Sequence, residues 1–477
     1  MKKVIIVVIV IAALLLGLPP VFGILAQRKV DERLAAFESN PCVSNYLAAN
    51  VKSFERGWFS SHALIDIGLS DEYLAMIGAM VGAQAGVQLP TDMLRQRATI
   101  AVDFAHGPIA VLNGVHFGLA KMVARLDPST PGIAMVQQTL GIPYVFEYRG
   151  RTGFGGGVSF DADIPPFQIA PAGVNFSGAF LDGTLSGKRL VSSMHVDSIN
   201  VASPIGTFEM GNLRGKVNND YSAARCISPG STDFDIEHIT FGDPTQGATP
   251  MFDAKNLHFS GNVTLDDSGS LFSMEATYGV ESVLARDTRI ADASIGLALH
   301  KIDIALLEAY LSAPQQTAFA TDPGQALAGL RPQIERALTA GPSLAFDPIR
   351  FRLDDEPFEA SIELTTDPTK LPAPGSFSFQ DPSVWMAFAS AGAKLNVSKP
   401  LAQRLAVLAT QMQFAQNPNL DPEQAANMAQ AQAGLMLVTL VGQGILSDAG
   451  DAYKTDVRFA DRALTVNGTP LPLGGLP

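Results

Sequence analysis

Apolar and polar residues alternate along much of the chain, in short runs separated by Gly, Asn, Asp and Ser. Between residues 144 and 280 these runs follow one another at intervals of about ten residues, which is typical of strands joined by tight turns. Parallel strands would need connecting helices of about a dozen residues, and no helical pattern interrupts this stretch. The pattern therefore predicts a long antiparallel meander, which the further run Ala291 to His300 extends to about residue 303.

The same alternation predicts strands on both sides of the meander. The stretches are Ala63 to Leu69, Ala98 to Phe104, Val115 to Leu126, Leu344 to Leu364 around the turn Asp354-Asp355, Phe377 to Val397 with Trp385, and Tyr453 to Phe459 followed by Ala463 to Asn467. We expect Ala98 to Phe104 and Val115 to Leu126 to be antiparallel neighbours, separated by a turn-rich stretch.

Helical spacing of apolar residues appears mainly in the last third of the chain. It predicts helices over Ile304 to Leu311, Gln325 to Leu338 and Lys399 to Leu446, while Asp71 to Met93 is helical or loop-like. The longest region is interrupted at Asn417-Pro418-Asn419, which predicts a helical hairpin because Pro ends helices.

The predicted fold class is α+β: an extended, mostly antiparallel sheet, a curved or groove-like meander, with helices packed on it and a transmembrane helix before it. The predicted parts are 1–27 as a membrane segment, 28–143 as an N-terminal α+β part, 144–303 as the meander, and 304–477 as helices with C-terminal strands.

The N-terminal segment Val4 to Gln27 carries no charge and follows Lys2 and Lys3. As a helix rising ~1.5 Å per residue, it is long enough for a hydrocarbon core of ~30 Å. The preceding lysines favour an N-terminus in the cytoplasm. We therefore expect a protein of the bacterial inner membrane, with most of the chain in the periplasm.

A cleaved signal peptide is the alternative for this segment. Pro19-Pro20 breaks the helix and Val21-Phe22-Gly23 resembles a cleavage site. Both interpretations export the protein. We favour retention because apolar residues continue beyond Gly23.

The charge balance argues against one class of partner. The chain has 33 Lys and Arg against 46 Asp and Glu, a net charge of −13. Such a surface repels phosphate backbones, so nucleic-acid binding is not expected. The two cysteines, Cys42 and Cys226, can form a disulfide in an oxidising compartment if the fold brings them together, or can stay separate thiols.

Three separated motifs resemble a family of bacterial proteins of unknown function, the YdgA-like family (domain of unknown function 945). They are FERGWFSS at Phe54 to Ser61, HGP at His106 to Pro108, and LTVNGTPLPL at Leu464 to Leu473. The resemblance implies a membrane-anchored, periplasmic protein of β-structure with helices and no established activity. Its motif residues are best interpreted as fold markers: Arg56, Gly57, Trp58, Phe59, His106, Gly107, Pro108, Asn467 and Gly468.

The residues themselves offer two chemical alternatives to a structural role. His106 beside Asp103 suggests a general base, but an imidazole that fixes the Gly107-Pro108 turn is favoured. Arg56 with Trp58 suggests a ligand clamp, but aromatics that enter the core from a strand start are favoured.

No sequence motif of a known catalytic, metal or cofactor site is complete. GTLSGK at Gly183 to Lys188 lacks the length of a phosphate-binding loop, and the seven histidines lack paired metal-ligand spacing. We therefore predict no enzyme activity, no catalytic or metal residues and no cofactor.

The predicted function is a non-enzymatic scaffold that binds lipid or an envelope component, held at the inner membrane through residues 4–27. The alternative is a structural or protein-interaction module that self-associates as a homo-oligomer or docks an envelope protein. The Met- and Ala-rich stretch Met412 to Leu440 is either core or an adaptable surface for lipid or a partner.

Overall fold

A computed structural model describes residues 23–24, 27–28, 30–32, 34–36, 38–77, 95–204, 206–221, 226–243, 250–312, 322–376, 381–415 and 422–472. The chain forms two compact units. The first contains residues 1–236 and 304–331, and the second contains residues 237–303 and 332–477. The division runs through the meander that the alternating pattern predicts.

The strands carry most of the structure. In chain order they are β1 (Leu47–Arg56), β2 (Ser60–Leu69), β3 (Ala98–His106), β4 (Ile109–Val111), β5 (Val115–Phe117), β6 (Ala120–Leu126), β7 (Glu147–Thr152), β8 (Val158–Ile164), β9 (Phe167–Ile169), β10 (Val174–Phe176), β11 (Ala179–Ser186), β12 (Arg189–Ser203), β13 (Gly206–Asp220), β14 (Gly230–Gly242), β15 (Phe252–Leu265), β16 (Leu271–Ala285), β17 (Thr288–Asp303), β18 (Ser343–Leu353), β19 (Glu356–Thr366), β20 (Ala389–Ser398), β21 (Ser447–Asp448), β22 (Ala452–Ala460), β23 (Ala463–Val466) and β24 (Thr469–Leu471).

The helices are fewer and mostly short. They are α1 (Pro41–Ser44), α2 (Ile133–Leu140), α3 (Ile304–Tyr310), α4 (Pro323–Gly329), α5 (Arg331–Leu338), α6 (Pro382–Phe388), α7 (Lys399–Ala415) and α8 (Pro422–Gly442), with short 3-10 turns at Ala170–Ala172 and Pro368–Lys370. Residues between 23 and 39 are also helical wherever they are described.

The sheet of the first unit is antiparallel throughout its described pairings. Its strand order is β1-β2-β3-β6-β7-β8-β11-β12-β13. β10 joins β9 to the end of β12, and β4 pairs with β5 in a separate hairpin. Its core lies where the N-terminal helix meets the sheet: Val30 packs on a cluster of Ala63, Val102, Phe104 and Ala124.

The sheet of the second unit is antiparallel too, in the order β15-β16-β17-β18-β19-β20-β22-β23-β24, with β21 beside β22. Its largest core cluster forms where the hairpin of α7 and α8 packs on the sheet, and includes Val397, Leu401, Ala433 and Leu437. The α+β fold class and the antiparallel meander with packed helices are confirmed.

One local prediction was wrong. Trp385 lies in helix α6 and not in a strand, because the Asp381 side chain accepts a hydrogen bond from Ser383 N at 2.9 Å and Pro382 begins the helix. The prediction that Ala98 to Phe104 and Val115 to Leu126 are antiparallel neighbours is confirmed by the pairing of β3 with β6, while Val115–Phe117 forms the separate strand β5. The predicted helical region Gln325 to Leu338 is confirmed; it consists of α4 and α5, which meet near Leu330.

The predicted membrane segment lies almost entirely outside the described residues, as does the break at Asn417 to Asn419. From Val4 to Gln27 only Gly23, Ile24 and Gln27 are described, all helical. Among the described residues, no helix is both long and apolar enough to cross a bilayer.

Candidate functional site

One face of the second unit's sheet is apolar from β15 to β20. Directly paired residues of an antiparallel sheet share a face, so the strand register identifies the members of each row. Two rows run across β15 to β20: Phe259, Tyr278, Ile295, Ile349, Ala360 and Leu395; and Val263, Met274, Leu299, Leu344, Leu364 and Ala391. We call this surface the apolar face.

The other face of the same sheet is polar. Each strand alternates, so the neighbours of the apolar rows point away from them. A row on this side joins Asn262, Glu275, Ala298, Ala345, Glu363, Gly392 and Arg458. The polar side of the sheet is therefore suited to contact with solvent, and the apolar side is suited to packing.

The hairpin of α7 and α8 packs on one part of the apolar face. Leu401 and Ala433 are fully buried, and Phe351, Phe358 and Tyr453 pack against their cluster. Arg404 of α7 donates a hydrogen bond to Asp354 at 2.8 Å, in the turn between β18 and β19. The hydrogen bonds from Arg289 N and Arg404 hold the pKa of Asp354 below its ordinary value.

Another part of the apolar face is accessible to solvent. Tyr278 is 53% exposed and Leu364 is 43% exposed, with Ile295 and Ile362 between these values. Tyr278 and Ile295 are direct cross-strand neighbours. We call Tyr278, Ile295, Ile362 and Leu364 the exposed apolar patch.

The outer side of the helical hairpin is apolar as well. Met412 to Leu440 supplies buried residues such as Ala433 and Leu437, but Met412, Leu435 and Val438 are more than half exposed. The stretch therefore contributes to the core on one side of the two helices and exposes apolar residues on the other.

Seven of the nine motif residues come together at one end of the first unit. Gly57 to Phe59 connects β1 to β2, and His106 ends β3, with His106 N donating to Phe59 O at 2.9 Å. A Cβ on Gly57 would lie 2.8 Å from Ser60 O, and Gly107 has φ 117°. Both positions thus require glycine.

The histidine and aspartate of the proposed acid–base pair have different partners. The His106 side chain is 1% exposed and its Nε2 lies 2.9 Å from Ser61 Oγ. Asp103 Oδ1 instead contacts His62 Nδ1 at 2.8 Å. Because His106 and Asp103 lie three residues apart on one strand, their side chains leave opposite faces of the sheet. The structure does not bring them together.

The aromatic residues of the RGWF motif do not enter the core. Trp58 is 58% exposed and Phe59 is 50% exposed. The prediction of core aromatics at this strand start was wrong, because the tight Gly57 turn points both side chains outward at the sheet end.

The other two motif residues, Asn467 and Gly468, belong to the second unit. They form the two-residue turn between β23 and β24, with φ 50° and 78°, the values of a type I′ hairpin. The Asn467 amide donates to Gly444 O at 2.8 Å and to Ile445 O at 3.1 Å, and its oxygen accepts from Asp456 N at 2.9 Å. Asn467 thereby connects the terminal hairpin to the segment that follows α8.

Cys42 and Cys226 are joined by a disulfide, with their Cα atoms 5.3 Å apart and a sequence separation of 184. The bond connects α1 to the segment before β14, both in the first unit. Of the two alternatives that the sequence left open, the structure has the paired one.

A polar cluster on β7 and β8 was not identified from the sequence. Arg149 lies between Asp161, at 2.8 Å, and Asp163. Tyr144 Oη donates to Asp163 at 2.7 Å, and burial together with this carboxylate raises the pKa of Tyr144 to about 12. Each carboxylate faces a guanidinium or hydroxyl donor, which is the arrangement of a cross-strand brace.

The described part of the chain contains no group of three or more His, Cys, Asp or Glu side chains arranged to hold a metal ion.

Fold and surfaces together define an α+β protein of antiparallel sheet and packed helices, in which the sheet of the second unit is polar on one side and partly open on its apolar side. The chain belongs to a family described as bacterial protein of unknown function (DUF945), whose sequence model matches residues 1–474. The resemblance that the three motifs indicated is thereby confirmed. No curated protein matches the chain, and no solved structure does.

Proposed function

We propose that this protein is a non-enzymatic scaffold of the bacterial envelope that binds lipid on the exposed apolar patch of its second unit. Residues 4–27 hold it at the inner membrane, and the rest of the chain lies in the periplasm. Acyl chains match this patch because they need apolar contact and no hydrogen-bond partners.

The observation that carries the proposal is the exposure of Tyr278, Ile295, Ile362 and Leu364 on one sheet face. Single exposed apolar residues are common on protein surfaces, whereas a contiguous group marks a binding surface. The flanking hairpin of α7 and α8 packs on the same face, so a ligand on the patch would lie beside an apolar wall.

The disulfide supports the proposed location. Cys42 and Cys226 are paired, and such bonds form and persist in oxidising compartments such as the periplasm. The uncharged run from Val4 to Gln27 after two lysines supports anchoring in the same orientation.

The absence of enzyme activity is supported by the surroundings of Ser61 and His106. This hydroxyl–imidazole pair has the composition of a nucleophile and its base. Both residues are buried, at 4% and 1% exposure, and Asp103, which would orient the base, contacts His62 instead.

The test uses the full chain, extracted in detergent from cells and examined by native mass spectrometry. Two variants on neighbouring positions of β19 are compared with the parent protein: Leu364→Asp on the apolar face and Thr365→Asp on the polar face. Both positions are exposed, so each substitution is tolerated by the fold to a similar degree.

Phospholipid bound to the parent protein and to Thr365→Asp, but lost from Leu364→Asp, is the expected result. Equal lipid binding by Leu364→Asp would place the lipid elsewhere. A lipid-free dimer, disrupted by Leu364→Asp, would overturn lipid binding in favour of a module that self-associates through the same face.

A further inference from the structure

The β4–β5 hairpin of the first unit presents an entirely apolar outer face. Ile109 pairs with Phe117 and Val111 pairs with Val115, so the four side chains share one side of the hairpin. Their exposures lie between 44% and 69%. On the inner side, Ala110 is 1% exposed.

The hairpin is braced from within, so its exposed side chains are not the result of a loose loop. Lys121 is buried, and its Nζ donates to Asn113 O at the hairpin tip at 2.7 Å. Burial, with nearby Arg151, lowers the pKa of Lys121. The His116 ring contacts Thr152 O at 3.3 Å. These polar contacts thus hold the hairpin so that its apolar side chains face outward.

Two exposed aromatic residues border the same end of the unit. Trp58 and Phe59 follow Gly57, and Gly57 lines a cleft of about 600 Å³ together with Val111 and Leu112 of the hairpin. We call the outer side chains of the hairpin, with Trp58 and Phe59, the aromatic end.

The N-terminal helix reaches this end of the molecule. Gly23 is buried, and a Cβ placed on it would lie 3.0 Å from His106 Cε1 and 3.5 Å from Arg56 Cδ. His106 in turn directly precedes the Gly107-Pro108 turn that leads into β4. Gly23, near the end of the uncharged run Val4 to Gln27, therefore lies beside the aromatic end.

From this juxtaposition we infer that the aromatic end is a second membrane-contact surface, which lies in the outer boundary of the bilayer that the N-terminal segment crosses. Trp and other aromatic side chains favour the level between headgroups and acyl chains. Surface-bound proteins insert apolar groups to this depth. Because Gly23 near the end of that segment is buried against the first unit, these side chains lie within immediate reach of the bilayer boundary.

The inference rests on the anchoring part of the proposed function and adds a contact that anchoring alone does not require. The added contact determines the orientation of the first unit relative to the bilayer. A helix and a hairpin that both contact the bilayer restrict its rotation, whereas a single helical anchor does not. Lipid binding by the second unit is independent of it.

The test exploits the two tryptophans of the chain, Trp58 and Trp385. In a Trp385→Phe variant, Trp58 is the only indole. The full-length variant is reconstituted into vesicles of phosphatidylcholine, either unmodified or brominated near the top of the acyl chains, and the floated vesicles are collected. The matched control is Trp58→Phe, which retains Trp385 in the core cluster of α6 with Phe388.

We expect Trp58 to lose about half of its emission in brominated vesicles, since an interfacial indole lies within contact distance of the bromine. Trp385 should keep its emission. Adding Val111→Ser and Phe117→Ser to the Trp385→Phe variant should restore most of the Trp58 emission, because the hairpin then no longer seats this end in lipid.

Protein that floats with the vesicles but shows equal Trp58 emission in both lipids would overturn the second contact and leave the anchor intact. Protein that does not float would overturn both the anchor and the contact. If Trp58 is not quenched and the vesicle-bound protein is a dimer, the aromatic end forms contacts between two copies of the chain and not with lipid.

Discussion

Gly23 packs against the imidazole of His106 so closely that a Cβ at Gly23 would lie 3.0 Å from the ring carbon Cε1. This contact joins the N-terminal helix to the HGP motif. The same close packing explains both the glycine at position 23 and the histidine of that motif. Ser61 Oγ also contacts the His106 ring, at 2.9 Å from Nε2.

Gly23→Val should destabilise the first unit by about 1–3 kcal/mol, because extra carbon atoms in a filled site force a displacement of the ring. Urea unfolding of the detergent-extracted chain, followed by Trp58 emission in a Trp385→Phe background, measures the effect. Ile24→Val is the control, since Ile24 is partly exposed on the same helix. Equal midpoints for both variants would contradict the packing.

The disulfide between Cys42 and Cys226 should appear as one linked peptide pair in a non-reducing digest. Replacing both cysteines by serine should lower the stability of the first unit by about 2–5 kcal/mol, since the cross-link closes a long loop in the unfolded chain. Trp58 emission should report the loss, and Trp385 emission a smaller change. Two free thiols in the unreduced protein would refute the pairing.

Asn467 offers a prediction that separates backbone conformation from hydrogen bonding. Asn467→Gly keeps the positive φ but loses the side-chain bonds to Gly444, Ile445 and Asp456. Asn467→Ala loses the bonds and also strains the backbone. We expect losses of about 1–3 kcal/mol, larger for Ala, in unfolding followed by Trp385 emission. A glycine variant as stable as the parent would show that the side-chain bonds contribute nothing.

The lowered pKa of Asp354 predicts that the stability of the second unit decreases at acidic pH. Its pKa is lowered from an ordinary value of 3.8 by hydrogen bonds from Arg289 N and Arg404, so the folded state favours the carboxylate. The stabilisation is present above 3.8 and is lost as pH falls through the lowered pKa. Asp354→Asn should therefore be less stable than the parent at neutral pH, with a gap that narrows below this value. A gap independent of pH, measured by Trp385 emission, would argue against the ionic contact.

Several elements were predictable because their cause is local. The alternation in Ala98 to Phe104 and in Ala291 to His300 identified β3 and β17, and Asp354-Asp355 identified a two-residue turn with both φ values positive. Trp385 shows the limit of prediction from local patterns. Its surroundings in sequence favour a strand, but the Asp381-Pro382 cap starts a helix there.

The candidate surfaces were less predictable than the strands. The motifs located Trp58, Phe59 and His106, but whether each is exposed or buried depends on neighbours far along the chain. Trp58 and Phe59 proved to be exposed and His106 buried, the reverse of what residue type favours. The exposed apolar patch combines residues of β16, β17 and β19, and a sequence pattern alone does not assign their common face.

By itself, the sequence determined the strands of the meander, the helical hairpin, the family and the uncharged N-terminal run, since periodicity, turn residues and charge are properties of neighbouring positions. Only the tertiary structure decided that Cys42 meets Cys226, that His106 contacts Ser61 and not Asp103, and that one apolar face stays partly open. These features depend on strand register and on which helix packs where. The free energies that select them come from contacts between residues tens to hundreds of positions apart.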